Sequence, residues 1–395
     1  MANEIVWFDD TETGAPTLNN AAGSLDAVLY ACLVTGFNPK SGLAISVAGG
    51  VATVTLASHG YTTQKMVDIA GAGTSAINGR KLITVTGSGS FTFPAPGVAD
   101  GTISGSITAK RSPLGWLRDL NSANVSIYKR SDSAATAMGL RIDDTGAGIA
   151  TVDAARVRMV EAWSDLNTFT GPAPTDTQLS GGFYWTKGAN STTAKKWVIV
   201  GDSRTFYLFS DCSTYPASSF NQLPTGIYGF GDLASFRSPD AYGAFLSGST
   251  SAGGTSSFSP GSGQSLGVFS SSNACVLSRP YSGVGTAIYA VSVTPGAGML
   301  GAHGAPYPSP VDSGLPLSLQ VLAAENNSVM VYPLRGAFRG LAEPLVNFSV
   351  GALAANMNRQ VLSGFTGSTK SYLMTGFQQA GSYGMAAFDL TGPWA

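Results

Sequence analysis

The segment Val198 to Phe209, VIVGDSRTFYLF, comes nearest to a reactive centre. A nucleophilic serine needs a base to take its proton and a third group to orient that base. Ser203 follows Gly201 and Asp202, the order used by Gly-Asp-Ser hydrolases, yet the chain has only 2 histidines to act as the base. His59 lies among short alternating runs, and His303, in LGAHGAP, lacks the aspartate three residues earlier that such hydrolases place there. Trp197, Ile199, Phe206 and Leu208 fall in two alternating runs around Gly201-Asp202-Ser203, and no helical pattern follows. The segment therefore reads as two strands joined by a tight turn.

Asp143-Asp144 raises the question of glycosidase chemistry, which needs two carboxylates facing one bond. Adjacent strand residues point to opposite faces, and Asp-Thr-Gly starts a turn readily, so a turn is expected. No GxxxxGK[ST] loop occurs, and no GxGxxG between a strand and a helix. Two histidines cannot build a His-cluster metal site, and no marked calcium loop is present. Cys32, Cys212 and Cys275 are odd in number and far apart, which fits neither a disulfide framework nor zinc spacing. The expectation is a chain without catalytic, cofactor-binding or metal-binding residues, and not an enzyme. The low acid count also disfavours a polysaccharide-cleaving site assembled from distant carboxylates. Tyr184, Trp185, Tyr215, Phe220, Tyr228 and Phe230 crowd a short region. Such rings are either half-buried strand residues or surfaces for a sugar or partner loop; on the second reading Tyr184, Trp185, Tyr215 and Phe230 are the candidates.

The elements that would carry these residues are mostly strands. Charged residues make up 11% of the 395, against about 25% in ordinary domains, while the apolar share is an ordinary 44%. Gly, Ser, Thr and Ala replace the missing charge, so the chain can bury a core and yet offers a neutral surface suited to subunit contacts. With a formal net charge of -1 and no basic stripe, nucleic acid is not an expected partner. The longest apolar run, Ala27 to Val34, is too short to span a bilayer, and the acidic start MANEIVWFDD shows no signal peptide.

One helix stands out over residues 24–35. Ser24 is placed to cap it, Leu25, Val28, Leu29, Cys32 and Leu33 share a face, and Gly36 is a natural stop. From 43 to 110 short alternating runs, VATVTL, KMVDIAG, RKLITVTG, SFTFPAP and TISGSITAK, indicate a small barrel or sandwich, with Asn78-Gly79 as a hairpin turn. Strand runs resume in GWLRDL, NVSIYKR, GLRID, ARVRMVEAW and GGFYWTK. Ala155, Val157 and Met159 alternate with Arg156 and Arg158, which favours a strand over a helix. Ser247 to Ser265 is low in complexity and reads as a mobile loop or linker. Strands return in SLQVLAAE, NSVMVYPL, SYLMTGF and GMAAFDL. The fold class expected is mainly β, with sandwich- or barrel-like domains and one marked N-terminal helix.

The segments FDDTETGAPTLNNAAGSLDAVLYACLVTGF, GWLRDLNSANVSIYKR, LRIDDTGAGIATVDAARVRMVEAWSDL and KKWVIVGDSRTFYLF, with the closing AFDLTGPW, resemble a family of virion structural proteins encoded among the tail and baseplate genes of tailed bacteriophages. In that family the helix segment runs directly into the GW…NxxxYK segment. Here residues 43 to 110 intervene, and ASHGYTT…INGRKLITV…SFTF is similar to a small β-module recurrent in phage tail proteins. The resemblance implies a particle-anchoring β domain from 1–42 plus 111–240 and an inserted module at 43–110; the downstream strand runs and loop composition make 241–395 a β-rich C-terminal region with flexible loops. It implies a structural role in the virion, assembly in the bacterial host cytoplasm, and other tail or baseplate proteins as partners. A symmetric homo-oligomer, first a trimer, is expected, with a host surface receptor or glycan as a further partner and no membrane insertion. It brings no catalytic residues. The alternative is a receptor- or glycan-binding tail-fibre module.

Overall fold

The computed structural model describes residues 5–146, 154–188, 192–211, 223–251, 274–295, 305–326, 333–346, 351–379 and 382–394. The chain is mainly β. Among the described residues no helix is long and apolar enough to cross a membrane.

A nine-stranded antiparallel sheet is the central layer. Its order is Val6–Asp9, Trp197–Gly201, Thr205–Ser210, Gly226–Ser235, Ala244–Ser247, Cys275–Leu277, Ile288–Val293, Leu322–Glu325 and Leu334–Phe338. The long strand Gly226–Ser235 also pairs with Leu334–Phe338, with Leu233 opposite Phe338, so the last six strands close into a barrel. Gly231 marks the corner. It is the last residue of that strand facing Thr205–Ser210, its φ is +149, and a Cβ there would collide with the Arg204 carbonyl; glycine at a barrel bend answers this need.

In Val6–Asp9, Trp197–Gly201, Thr205–Ser210 and residues 226–233 every position is buried, and period-two alternation sorts the side chains between two cores. Phe8, Trp197, Ile199, Phe206, Leu208 and Phe230 enter one; Trp7, Val198, Val200, Tyr207, Phe209 and Ile227 enter the other. The first core is completed by the N-terminal helix and by a sheet of Leu117–Ser122, Val125–Lys129, Gly139–Asp143, Ala154–Val160 and Phe183–Thr186. The segment 154–160 is thus a strand, as its alternation indicates. The second core joins the barrel to a C-terminal sheet of Leu317–Ser318, Leu341–Pro344, Ser382–Asp389, Tyr372–Gln379 and Gln360–Leu362. Beyond that sheet lies a further cluster that takes in Ala354 of a second helix, Gly351–Met357, which is too short for its periodicity to register in the sequence. Strand pairing runs across position 240: Phe230 pairs with Leu246 and Asp232 with Ala244.

Residues 43–110 build their own core. Ile45, Val54, Val67, Ile69, Phe91 and Ile107 pack between a four-stranded and a five-stranded sheet, with the outward positions exposed. The chain segments that lead in and out run side by side: Arg111 N–H donates to Phe37 O at 2.9 Å and Leu114 N–H to Cys32 O at 2.9 Å. Asn78-Gly79 is not a two-residue hairpin. The connection includes the 3-10 turn Ser75–Ile77, and the Asn78 amide bonds the backbone N–H and carbonyl of Ala72 at 2.9 and 2.8 Å, standing in for one more backbone pair.

The helix Ser24–Tyr30 continues into a π turn, Ala31–Thr35, closed by Gly36 at φ +71, where a side chain would overlap the Arg111 carbonyl. Its N-terminus differs from the expected cap. Gly23 precedes it, Ser24 Oγ donates to Asn19 O at 2.6 Å, and the free N–H groups of Leu25 and Asp26 are met by Asp144 Oδ2 at 2.9 and 3.2 Å. Asp144 is ion-paired with Lys187, both fully buried; burial pushes its carboxyl up and the Lys187 charge opposes this. Asp143 instead accepts from the Thr145 hydroxyl at 2.6 Å, so the two carboxylates diverge as alternation requires. A cap supplied from 118 residues away leaves no local signature. Asp144→Ala strips this cap and leaves Lys187 buried without its counter-charge; chemical denaturation should record a loss of about 3–5 kcal/mol.

Candidate functional site

The candidate aromatics part company in three dimensions. Trp185 and Phe230 are fully buried in the first core. Trp185 stacks on Tyr228 at 5.4 Å and meets Phe206 edge-on at 6.0 Å, and its Nε1–H donates to Ser247 O at 2.6 Å. Trp116 meets Phe206 and Phe230 edge-on at 5.3 and 5.7 Å. Neither Trp185 nor Phe230 presents a face to a ligand: Phe230 lies on the central sheet, Trp185 on the sheet that covers it, and both rings enter the core between the two. Tyr184 alternates outward, is half-buried, and has the Arg156 guanidinium 3.8 Å above its ring. Tyr215 and Phe220, like Cys212, His303 and residues 252–265 of the low-complexity segment, lie outside the described residues.

The Gly-Asp-Ser segment is the turn between Trp197–Gly201 and Thr205–Ser210. Asp202 shapes it. Its Oδ1 accepts the N–H groups of Arg204 and Thr205, each at 2.8 Å, and its Oδ2 pairs with Arg339 at 2.7 Å, both side chains buried. Ser203 Oγ donates to Asp132 Oδ2 at 2.7 Å, and His59, the histidine among the described residues, is held elsewhere. Nearby, buried Asp232 binds Arg130 and Arg204, each at 3.0 Å, and accepts the Thr136 hydroxyl at 2.7 Å. Burial lowers the Arg130 guanidinium to about 10 against the opposing pull of Asp232. His59 is a core residue of the 43–110 module: Nδ1 accepts Tyr61 N–H and Nε2 faces Gly87 O, both at 3.0 Å, which places the proton on Nε2. Cys32 and Cys275 are buried free thiols, both pushed up by burial. Among the described residues no group of His, Cys, Asp and Glu could hold a metal ion.

A buried cluster of four charged side chains joins the module to the central sheet. Val6–Asp9 is the edge strand, and the Trp7 carbonyl on its outer side accepts Arg111 Nη2 at 2.9 Å. Lys65 Nζ lies 3.0 Å from Asp9 Oδ2 and 2.8 Å from Glu12 Oε1, and Arg111 pairs with the same Glu12. All four side chains are buried. Burial pushes the Lys65 amine down, against the raising effect of Glu12 and Asp9. For Asp9 the upward push of burial is outweighed by Lys65 and Thr11, which hold its carboxyl below the usual range. Sequence reading passed over these residues. The signal was there in the alternation: Lys65-Val67-Ile69 and Ile107-Ala109-Arg111 each end a buried row on a cation.

A cleft of about 780 Å³ opens between the barrel and the C-terminal sheet, walled by Leu319, Phe338, Leu341, Tyr372 and Trp394, with the Lys370–Asp389 ion pair beside them. Trp394 is fixed by its Nε1–H bond to Asp389 O at 2.7 Å and by close packing on Gly340, where a Cβ would overlap the indole.

No protein-family model and no curated protein matches the chain. Among solved structures it is similar to a phage phi92 endosialidase at 12% identity and a TM-score of 0.17, over 91% of this chain and 53% of that one. The chain thus spans about half the length of that protein, and a likeness this faint carries no argument about fold or activity. Trp185→Ala should lower stability by about 3–5 kcal/mol, as a core truncation does. Ser203→Ala should cost only about 1 kcal/mol, the worth of one hydrogen bond. Paired denaturation curves of the two variants check both.

Proposed function

We propose that the chain is a non-enzymatic structural component of a bacteriophage tail or baseplate that assembles as a symmetric oligomer. The carrying observation is where its scarce charges go. Asp9, Glu12, Lys65, Arg111, Arg130, Asp144, Lys187, Asp202, Asp232, Arg335 and Arg339 are all buried, although charge is only 11% of the sequence. The surface left over is rich in Ser, Thr and Gly and can be covered by a neighbour with little desolvation penalty. The segments that carry the phage resemblance support the same reading. Phe8, the N-terminal helix, Trp116, Tyr128, Ile142, Val157 and Trp197 all feed one core, so what they encode is a scaffold.

In this reading residues 1–42 and 111–240 anchor the subunit together with the barrel strands bonded to them across position 240, 43–110 is an insertion, and the C-terminal sheet faces outward toward the host. The adjacent connecting segments at 36–43 and 109–114 favour the insertion, because a module tethered at one place can be removed without opening the body. A receptor- or glycan-binding role is the second reading. It rests on the cleft between barrel and C-terminal sheet and on half-buried Tyr184, which among the described candidate rings is directed away from the core.

Light scattering during size exclusion should find an assembly near three times the 40.4 kDa chain mass; a monomer across the accessible concentration range would remove the oligomer from the account. Deleting residues 44–109 should leave a soluble remainder with a cooperative unfolding transition, and its failure to fold would refute the insertion. For the second reading, Tyr184→Ala should weaken attachment of the chain to host cells by about 1–2 kcal/mol, read as a shift in half-saturation; unchanged attachment eliminates Tyr184 as a contact.

A further inference from the structure

The junction between the edge strand and the 43–110 module holds more than an ion pair. Asp9 Oδ2 is 3.0 Å from Lys65 Nζ. The other carboxylate oxygen, Oδ1, accepts the Thr11 N–H at 2.9 Å and also the Thr11 hydroxyl. Glu12 Oε1 is 2.8 Å from the same Nζ and also accepts the Asp9 N–H at 3.2 Å. The side chains of Lys65, Asp9 and Glu12 are 3%, 8% and 5% exposed. The Trp7 ring lies against the amine, and Arg111 fixes Glu12 from its far side. An amine, a carboxyl carbon with one oxygen held by two donors, and a second carboxylate touching the amine are the parts of an amide-forming centre.

We propose that Asp9 and Lys65 condense to a side-chain amide, with Glu12 as the proton carrier, so that the module is covalently fastened to the edge strand of the central sheet. Glu12 Oε1 takes one proton from the Lys65 ammonium. The freed amine attacks Asp9 Cγ as the proton held by Glu12 passes to Asp9 Oδ2, so that a carboxyl and not a carboxylate is attacked, and negative charge gathers on Oδ1, where the Thr11 N–H and hydroxyl already point. The Cγ–Oδ2 bond then breaks. Oδ2 leaves as water, carrying one proton from the attacking nitrogen and the one passed on by Glu12. One C–N bond forms, one C–O bond breaks, and nothing is oxidised or reduced.

Two features of the site drive the step. The reacting groups are already in contact, which removes the entropic cost of bringing them together. The product also replaces two buried charges with a neutral amide and leaves Arg111 and Glu12 as a balanced pair, which relieves the desolvation cost of burying an ion pair. The burial that pushes the Lys65 amine down favours its neutral, nucleophilic form.

The test needs only the full chain. After denaturation its mass should fall short of the sequence by one water. A tryptic map should show no cleavage after Lys65 and should join the fragment bearing Asp9 to the one bearing Lys65. Cleavage after Lys65, with the two fragments separate, overturns the proposal. Asp9→Ala and Lys65→Met should each restore the missing water. Glu12→Gln, with folding checked by circular dichroism, should leave the chain unlinked; a link that forms in this variant as completely as in the parent overturns the role given to Glu12. Should a variant fail to fold, the map of the parent chain decides alone.

Discussion

The first strands of the central sheet, Val6–Asp9, Trp197–Gly201 and Thr205–Ser210, are buried at every position. That constraint sets the rest of the architecture, because these strands must supply buried side chains to both faces rather than to one. Val198 and Val200 turn to one core while Trp197 and Ile199 turn to the other. The helix and the N-terminal sheet exist to cover the first face, and the C-terminal sheet to cover the second. Six of the nine strands also close on themselves, which removes one free edge of the layer. The remaining edge, Val6–Asp9, is met by Lys65 of the 43–110 module and by Arg111 just after it.

A layer covered on both sides must also satisfy its polar groups internally, and the chain does this with charge. Asp144 caps a helix, Asp202 closes a turn, and Arg111 reaches the edge carbonyl of Trp7. Arg335, fully buried, holds Asp240 through two contacts of 2.8 Å and Glu325 at 3.1 Å. Each of these groups joins segments distant in sequence, so their substitution costs far more than that of a surface ion pair. The same use of charge leaves less of it for the exterior, which links the energetics of folding to the charge-poor surface on which the assembly reading rests.

Local features of the fold were legible in the sequence. Alternation placed the strands of 43–110, chose strand over helix at 154–160, and recognised the hairpin at Gly201-Asp202-Ser203, because each rests on period and turn chemistry within a dozen residues. What depended on distant pairing was not legible. Ser24 has the right residue type for a helix cap, but Asp144 takes that role. Asn78 looks like a turn residue and serves as a surrogate strand pair. The aromatic crowd at 184–230 carries no sign of which face is covered, and only the second layer shows Trp185 and Phe230 to be core while Tyr184 stays at the surface. The junction cluster was half-legible: two alternating apolar rows end in Lys65 and Arg111, but nothing in the rows says that Asp9 and Glu12 await them.

The central claim is that a charge-poor exterior is an assembly surface. Electron cryomicroscopy of the purified chain tests it most directly. Closed particles with rotational symmetry, their subunit contacts formed by uncharged Ser-, Thr- and Gly-rich surface, are the predicted result. A field of single chains, or contacts made chiefly by the few exposed charges, would contradict it.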